Sequence, residues 1–246
     1  MSNKTALQIV RSACLRVGVN RPSTASGATD LQTQQMWGLL SFEGQQLCAR
    51  FDWQACTLEK TFTTIASTDQ GAFVGGAQIN FADSDAYDHV ISDTLWDRTT
   101  KYAPRPTTGD VWQGEVASGI TGPYGKFRIR GGNLIIYPTP AAGLTLAFEY
   151  KTKNWVAITA TADPTLDAFS DDAQYSVLDW QIIEQGLVWR WLKTKGFEYA
   201  EDFNTYEAMV ADAMTRDQPR RAVSQEGRRE DSAEPGIMVP RDSWNI

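Results

Sequence analysis

Apolar side chains recur along this chain with two different periods, and the change between them separates helical ends from a β-rich middle. Near the start, Leu7, Val10, Cys14 and Val17 form a stripe at helical spacing. Thr5 and Gln8 make a capping-box pair ahead of it, and Gly18 is placed to end it. A polar linker from Asn20 to Gly27 leads to a second helix, beginning at Thr29 or Asp30 and reaching about Phe51. Met36, Leu40, Leu47 and Phe51 face inward on that helix, with Cys48 beside them as a small apolar residue.

From Trp53 the period becomes two. Cys56, Leu58, Lys60 and Phe62 alternate with polar neighbours, which predicts a strand. Residues 66–82 are rich in Gly, Thr and Asp and read as a loop or hairpin, with Gly71 to Gly76 as a flexible tip. Asp88 to Thr99 fits either kind of element. Pro104, Pro106, Gly109, Gly114, Gly119, Gly122 and Pro123 predict a long irregular segment over 103–124 that projects and is mobile. Lys126–Arg130 and Leu134–Tyr137 flank Gly131-Gly132-Asn133 and predict a hairpin whose turn needs positive φ. Leu144 to Lys153 alternates again and is expected to pair with that hairpin.

Ser170 to Gly196 reads as one long helix around which the rest is organised. Asp171 with Gln174 is a variant capping box, and Lys193, Lys195 and Gly196 mark its end. Trp180, Ile183, Leu187 and Trp191 share one face, and Leu178, Ile182, Trp189 and Leu192 a nearly opposite one. A polar seam of Asp179, Gly186, Arg190 and Lys193 separates them. A helix apolar on two sides is packed on two sides. It is either a central core helix or one with a face against another subunit, which makes Trp180, Trp189 and Trp191 candidate contact residues. Tyr199, Phe203, Tyr206, Val210 and Ala213 predict a last helix ending before Pro219.

The expected fold class is α+β. Helices over 5–51 and 171–217 form a bundle packed with a small antiparallel β domain over 53–155, all within one domain, 1–219. Residues 220–246 lose apolar periodicity and read as an extended docking tail. Its candidate contacts are the basic pair Arg220 and Arg221 and the apolar group Ile237, Met238, Val239, Trp244 and Ile246.

Composition narrows the chemistry. The net charge of −7 argues against a surface built to neutralise nucleic-acid phosphates. No stretch approaches the roughly 20 apolar residues of a membrane span. Three cysteines, Cys14, Cys48 and Cys56, lack metal-ligand spacing and read as reduced thiols. The single histidine, His89, lies in an acidic run with Asp85 and Asp88 and reads as a surface residue. No phosphate loop, nucleophile elbow or cysteine-nucleophile signature is present, so no catalytic, cofactor-binding or metal residues are assigned.

Several pieces carry a resemblance. The first helix closes on Leu15-Arg16-Val17-Gly18 and the second on Arg50-Phe51-Asp52-Trp53. The strand Gly132-Asn133-Leu134-Ile135-Ile136-Tyr137-Pro138 and an aromatic-rich helix at 174–195 follow in that order. This organisation, over most of residues 5–218, resembles the head-to-tail adaptors of podoviruses, the tail accessory factor and tail tubular protein A family. The resemblance implies a structural virion protein at the head–tail junction, assembled in the host cytoplasm. It implies a homo-oligomeric ring, a dodecamer, bound below the portal protein and joined to downstream tail nozzle, needle or fibre proteins. Genomic DNA would pass through the lumen without specific binding, and no cofactor is implied. Two other classes stay open from sequence: a peptidoglycan-degrading virion enzyme using Asp or Glu, and a Trp-rich carbohydrate- or protein-binding module.

Overall fold

Both arms of the first capping box form. The Thr5 hydroxyl accepts from the Gln8 amide at 3.3 Å, and the Gln8 side chain accepts from the Thr5 amide at 3.0 Å. Helix α1 (Ala6–Val17) therefore starts where the pattern places it, and Gly18 closes it in the left-handed region at φ 71°. This computed structural model describes residues 3–82, 85–119 and 125–217. Among them the chain forms two compact units, one of residues 3–58, 85–89 and 151–217, the other of residues 59–82, 90–119 and 125–150. The class is α+β, as the two periods predict.

The first unit is mainly helical. Asp30 accepts from the Thr33 amide and caps α2 (Leu31–Arg50). The other two helices here are α4 (Trp180–Lys195), capped by Asp179 and closed by Gly196, and α5 (Ala200–Asp217). Helix α4 packs against α1, α2 and α5, and its residues 182–189 are buried without interruption. An apolar pattern on two sides has a simple cause: helices lie around it. Ile9, Val10, Met36, Leu40, Leu47, Ile183, Leu187 and Val210 make the centre of the core.

Helix α4 begins at Trp180 and not at Ser170. One arm of the supposed capping box exists, since the Gln174 side chain accepts from the Asp171 amide at 3.1 Å. The Asp171 carboxylate, however, bonds the nearer Ala173 amide and closes a tight turn. The segment's other polar groups are committed elsewhere. Gln174 and Asp172 carbonyls accept from the Ala6 and Leu7 amides at the open end of α1. The Asp172 carboxylate accepts from the Ala25 and Ser26 amides of the linker. Strand β10 (Tyr175–Ser176) then pairs antiparallel with β9 (Val156–Ala157).

In the second unit the expected hairpin forms in full register, β6 (Lys126–Arg130) against β7 (Asn133–Tyr137). Gly131 and Gly132 occupy its turn at φ 59° and 79°. Strand β2 (Asp69–Ala72) takes the other edge of β7, and β5 (Arg105–Pro106) adds to β6 in parallel, giving the order β2-β7-β6-β5. Strand β8 (Thr145–Thr152) does not pair with this hairpin, contrary to the pattern's suggestion. Both edges of the hairpin are already occupied, by β2 and β5. Strand β8 instead lies between β1 (Thr57–Thr63) and β3 (Tyr87–Val90), and β4 (Trp96–Asp97) also pairs with it.

Two stretches that read as irregular carry structure. Residues 66–82 supply β2 and the buried Phe73, Ile79 and Phe81. Phe73 and Phe81 pack edge-on against Phe148, and Phe81 lies 4.5 Å from Tyr150. The 103–124 segment holds a ten-residue helix, α3 (Gly109–Ser118), closed by Gly119 at φ 63°. Trp112 anchors it against Tyr137 at 5.9 Å, and Glu115 pairs with Lys126. Residues 120–124 lie outside the described part.

Candidate assembly surface

The C-terminal half of α4 and the helices beside it bring an unusual set of side chains together. Trp189 is buried and Trp191 more so, at 7% and 3% exposure, while Trp180 is half-buried beneath the Lys4 ammonium, 3.7 Å from its ring centroid. Trp189 and Trp191 thus lie within this chain's own helical core. Their contribution at the surface is indirect, through what they hold.

Trp189 is the floor of an aromatic layer. Phe203 meets it edge-on at 5.1 Å, and Tyr206 and Tyr199 lie at 6.0 and 6.4 Å. Its indole N–H, buried, has no hydrogen-bond partner among the described residues. Cations cover the layer. The Arg190 guanidinium sits 4.5 Å over Trp189 and 4.9 Å over Phe42, and Lys193 lies 5.8 Å from both Trp189 and Tyr199. Lys195 stands 4.4 Å over Trp191 and donates to Gln35 at 2.7 Å. The charged heads themselves lie over the ring faces, a cation–π arrangement. Phe42, Phe197, Tyr199 and Phe203 remain exposed across α2, the α4–α5 turn and α5.

Beneath this surface two residues of the sequence pattern's polar seam, Gly186 and Arg190, meet a buried carboxylate, while Asp179 caps α4 and Lys193 is exposed. Glu43 is fully buried on α2 and accepts from Arg190 Nε. Gly186 leaves the space that the Glu43 carboxyl occupies. The Tyr206 phenol is pushed up by burial and by the Glu43 charge beside it, so it stays protonated. At the margin, Arg50 grips both carboxylate oxygens of Glu207. Glu184, on the other side of α4, is held by Lys4 and Ser12. The buried carboxylates Glu43 and Glu184 are paired, as burial demands, and their pairing fixes the helices that carry the exposed rings.

This is a surface of aromatic residues, Arg and Lys over a rigid helical frame. Aromatic residues and Arg are enriched at protein–protein contacts, whereas Lys is depleted there. It holds no nucleophile–base pair, and among the described residues no group of His, Cys, Asp and Glu has metal-binding geometry.

The sequence profile of the SU10 adaptor proteins matches residues 4–233. The chain belongs to the SU10 adaptor protein family. This agrees with the resemblance to phage head-to-tail adaptors and makes it a structural phage protein of the virion. No curated protein matches the chain. The matched span takes in the 103–124 segment and the first part of the tail.

Of the adaptor's candidate contact residues, Trp189 and Trp191 lie in the C-terminal half of α4, and Trp180 stands apart at its N-terminal end beneath Lys4. Arg220, Arg221, Ile237, Met238, Val239, Trp244 and Ile246 lie outside the described residues. Sequence reasoning did not single out Phe42, Arg190 and Phe203 as one surface, because they are up to 161 residues apart and are joined through the packing of α2 and α5 on α4. His89 is half-exposed as expected, with Asp88 at 3.1 Å. Its second contact, Asp52 at 3.3 Å, comes from a turn 37 residues earlier. No helix among the described residues is long and apolar enough to cross a membrane.

Proposed function

We propose that this adaptor assembles as a ring below the portal, extends the channel through which DNA leaves the capsid, and joins the head to the tail proteins that follow. The observation that carries the reading is the family match across residues 4–233. The cation-covered aromatic surface of α2, α4 and α5 supports it, because it offers large rigid side chains on a frame whose internal charges are already paired.

Ring closure requires each copy to meet its neighbour through two different patches, a heterologous contact repeated around the axis. We assign the aromatic surface to one of those patches and the tail's apolar end, Ile237 to Ile246, to docking on a neighbour or the portal. The ring is a dodecamer in this reading. A net charge of −7 suits a lumen that passes DNA without holding it. Assembly takes place in the host cytoplasm and the product resides at the head–tail junction of the virion. The reading assigns the chain no catalytic role. Native mass spectrometry of the adaptor alone and mixed with purified portal tests the proposal. A single species of portal with one adaptor per portal subunit supports it, and free monomer at every ratio refutes it.

A further inference from the structure

Outside the aromatic surface, the corner between α2 and β1 places two thiols together. Cys48 lies in the last turns of α2, and Cys56 ends the single 3₁₀ turn Gln54–Cys56 that leads into β1. Both are buried, at 2% and 0% exposure, and their sulfurs are 3.9 Å apart. The corner is held from several directions. The Trp53 indole donates to the Leu47 carbonyl at 2.7 Å, the Cys56 amide bonds the Trp53 carbonyl at 2.9 Å, and Phe51 packs edge-on against Trp53.

The corner is reachable and electrically asymmetric. Cys48 lines an open cleft of about 310 Å³ together with Gln45, Asp88, Lys151 and Lys153. The Lys151 ammonium, itself buried, is anchored by Asp52 at 3.2 Å. The contact with Cys56 and the Lys151 charge hold the Cys48 thiol below its ordinary value against the effect of burial. Contact with Cys48 and burial push the Cys56 thiol up. Cys48 lines the cleft while Cys56 is fully buried beside it, so Cys48 is the sulfur placed to meet an oxidant and Cys56 the one placed for the second step.

We propose that Cys48 and Cys56 are a peroxide-responsive dithiol whose oxidation closes a disulfide between the end of α2 and the start of β1. In the first step the Cys48 thiolate attacks a peroxide oxygen. The O–O bond breaks, and with one proton the products are the sulfenic acid and water. In the second step the Cys56 sulfur attacks the Cys48 sulfur, the S–O bond breaks, and a second water leaves with the thiol proton. Two thiols are oxidised, one peroxide is reduced to two waters, and no other reactant is needed. The sulfurs must approach by about 1.9 Å to reach disulfide length. The chain between them leaves the helix at Phe51, so the corner is not locked by helical geometry. In a reducing cytosol the pair stays open, and an oxidising surrounding closes it. Cys14 is buried alone in α1, and burial pushes its thiol up, so it serves as the internal control.

The full chain, purified reduced and freed of added thiol, is treated with a few equivalents of hydrogen peroxide at neutral pH. It is then denatured, alkylated and mapped by peptide mass spectrometry. The expected result is a Cys48–Cys56 linked peptide with Cys14 still alkylated, reversed by dithiothreitol, and a thermal midpoint raised while the link is present. Cys14→Ser should give the same link. In Cys56→Ser, a sulfenic-acid probe such as dimedone should label Cys48. Three results each overturn the proposal: both thiols alkylated at peroxide levels that oxidise glutathione, Cys14 oxidised as readily, or Cys48 carried to sulfinic acid without linking. Should Cys56→Ser fail to fold, the wild-type and Cys14→Ser arms still decide it.

Discussion

Gly186 lies directly against the Glu43 carboxyl group, so that a single Cβ added to α4 would overlap it. Glu43 has no room to withdraw. It is fully buried, and Arg190, one turn further along α4, and the Tyr206 phenol also hold its carboxylate. Gly186→Ala should therefore destabilise the folded chain by about 1–3 kcal/mol, the cost of overpacking. In a Glu43→Ala background the same substitution should cost clearly less, because the two share one space. Urea denaturation of the four proteins in this cycle measures both effects.

A pH dependence follows from the pair at the edge of the same bundle. The hydrogen bond from Arg50 holds the Glu207 carboxyl below its ordinary 4.5. The folded state then binds fewer protons than the unfolded state across that range. The stabilisation is present above about 4.5 and is lost as pH falls through the lowered value. Both side chains are partly exposed, so the effect is small. The urea midpoint of Glu207→Gln should lie below that of wild type at pH 7, and the gap should narrow on titration to pH 3.

Helix α3 depends on one residue. Among its described side chains Trp112 is the buried hydrophobic one, seated against Tyr137. Trp112→Ala should cost about 3–5 kcal/mol of local stability and expose residues 103–119 to limited proteolysis that the wild-type chain resists.

Much of this architecture was legible in the sequence, and the misses have physical causes. The Thr5–Gln8 and Gly131–Gly132 signals succeeded because their partners lie within a few residues. Asp171 with Gln174 misled because the same side chains serve a turn, and the carbonyls that would continue a helix cap α1 instead. Helix α3 was hidden by Gly109 and Gly114, whose low propensity is offset by burial of Trp112. The pairing of β8 was decided by which hairpin edges were free, which no local pattern encodes. The aromatic surface was half visible: the Trp residues of α4 stood out, but Phe42 and Phe203 joined them only through packing, by way of Arg190 and Trp189.

The exposed surface yields a separable prediction. Phe197 is 63% exposed, and Lys193 covers Trp189 and Tyr199 from outside. Phe197→Ser with Lys193→Glu should change monomer stability by less than about 1 kcal/mol. Attachment to portal should fall at least tenfold, read by sedimentation of mixed samples.

The tail gives another. Truncation after Ser224 should leave the melting curve of the monomer nearly unchanged while abolishing ring formation or portal attachment. Trp244→Ala should weaken the same step, by about 2–4 kcal/mol if its side chain is a hot spot. Unfolding of the truncated monomer would assign the tail to the chain's own core.

The most direct test is cryo-electron microscopy of the adaptor mixed with its portal. The account predicts a closed ring of adaptors beneath the portal, an open axial channel, and Phe42, Phe197 and Phe203 buried against the neighbouring subunit or the portal. Portal particles without an added ring, or a ring in which that face stays in solvent, would contradict it.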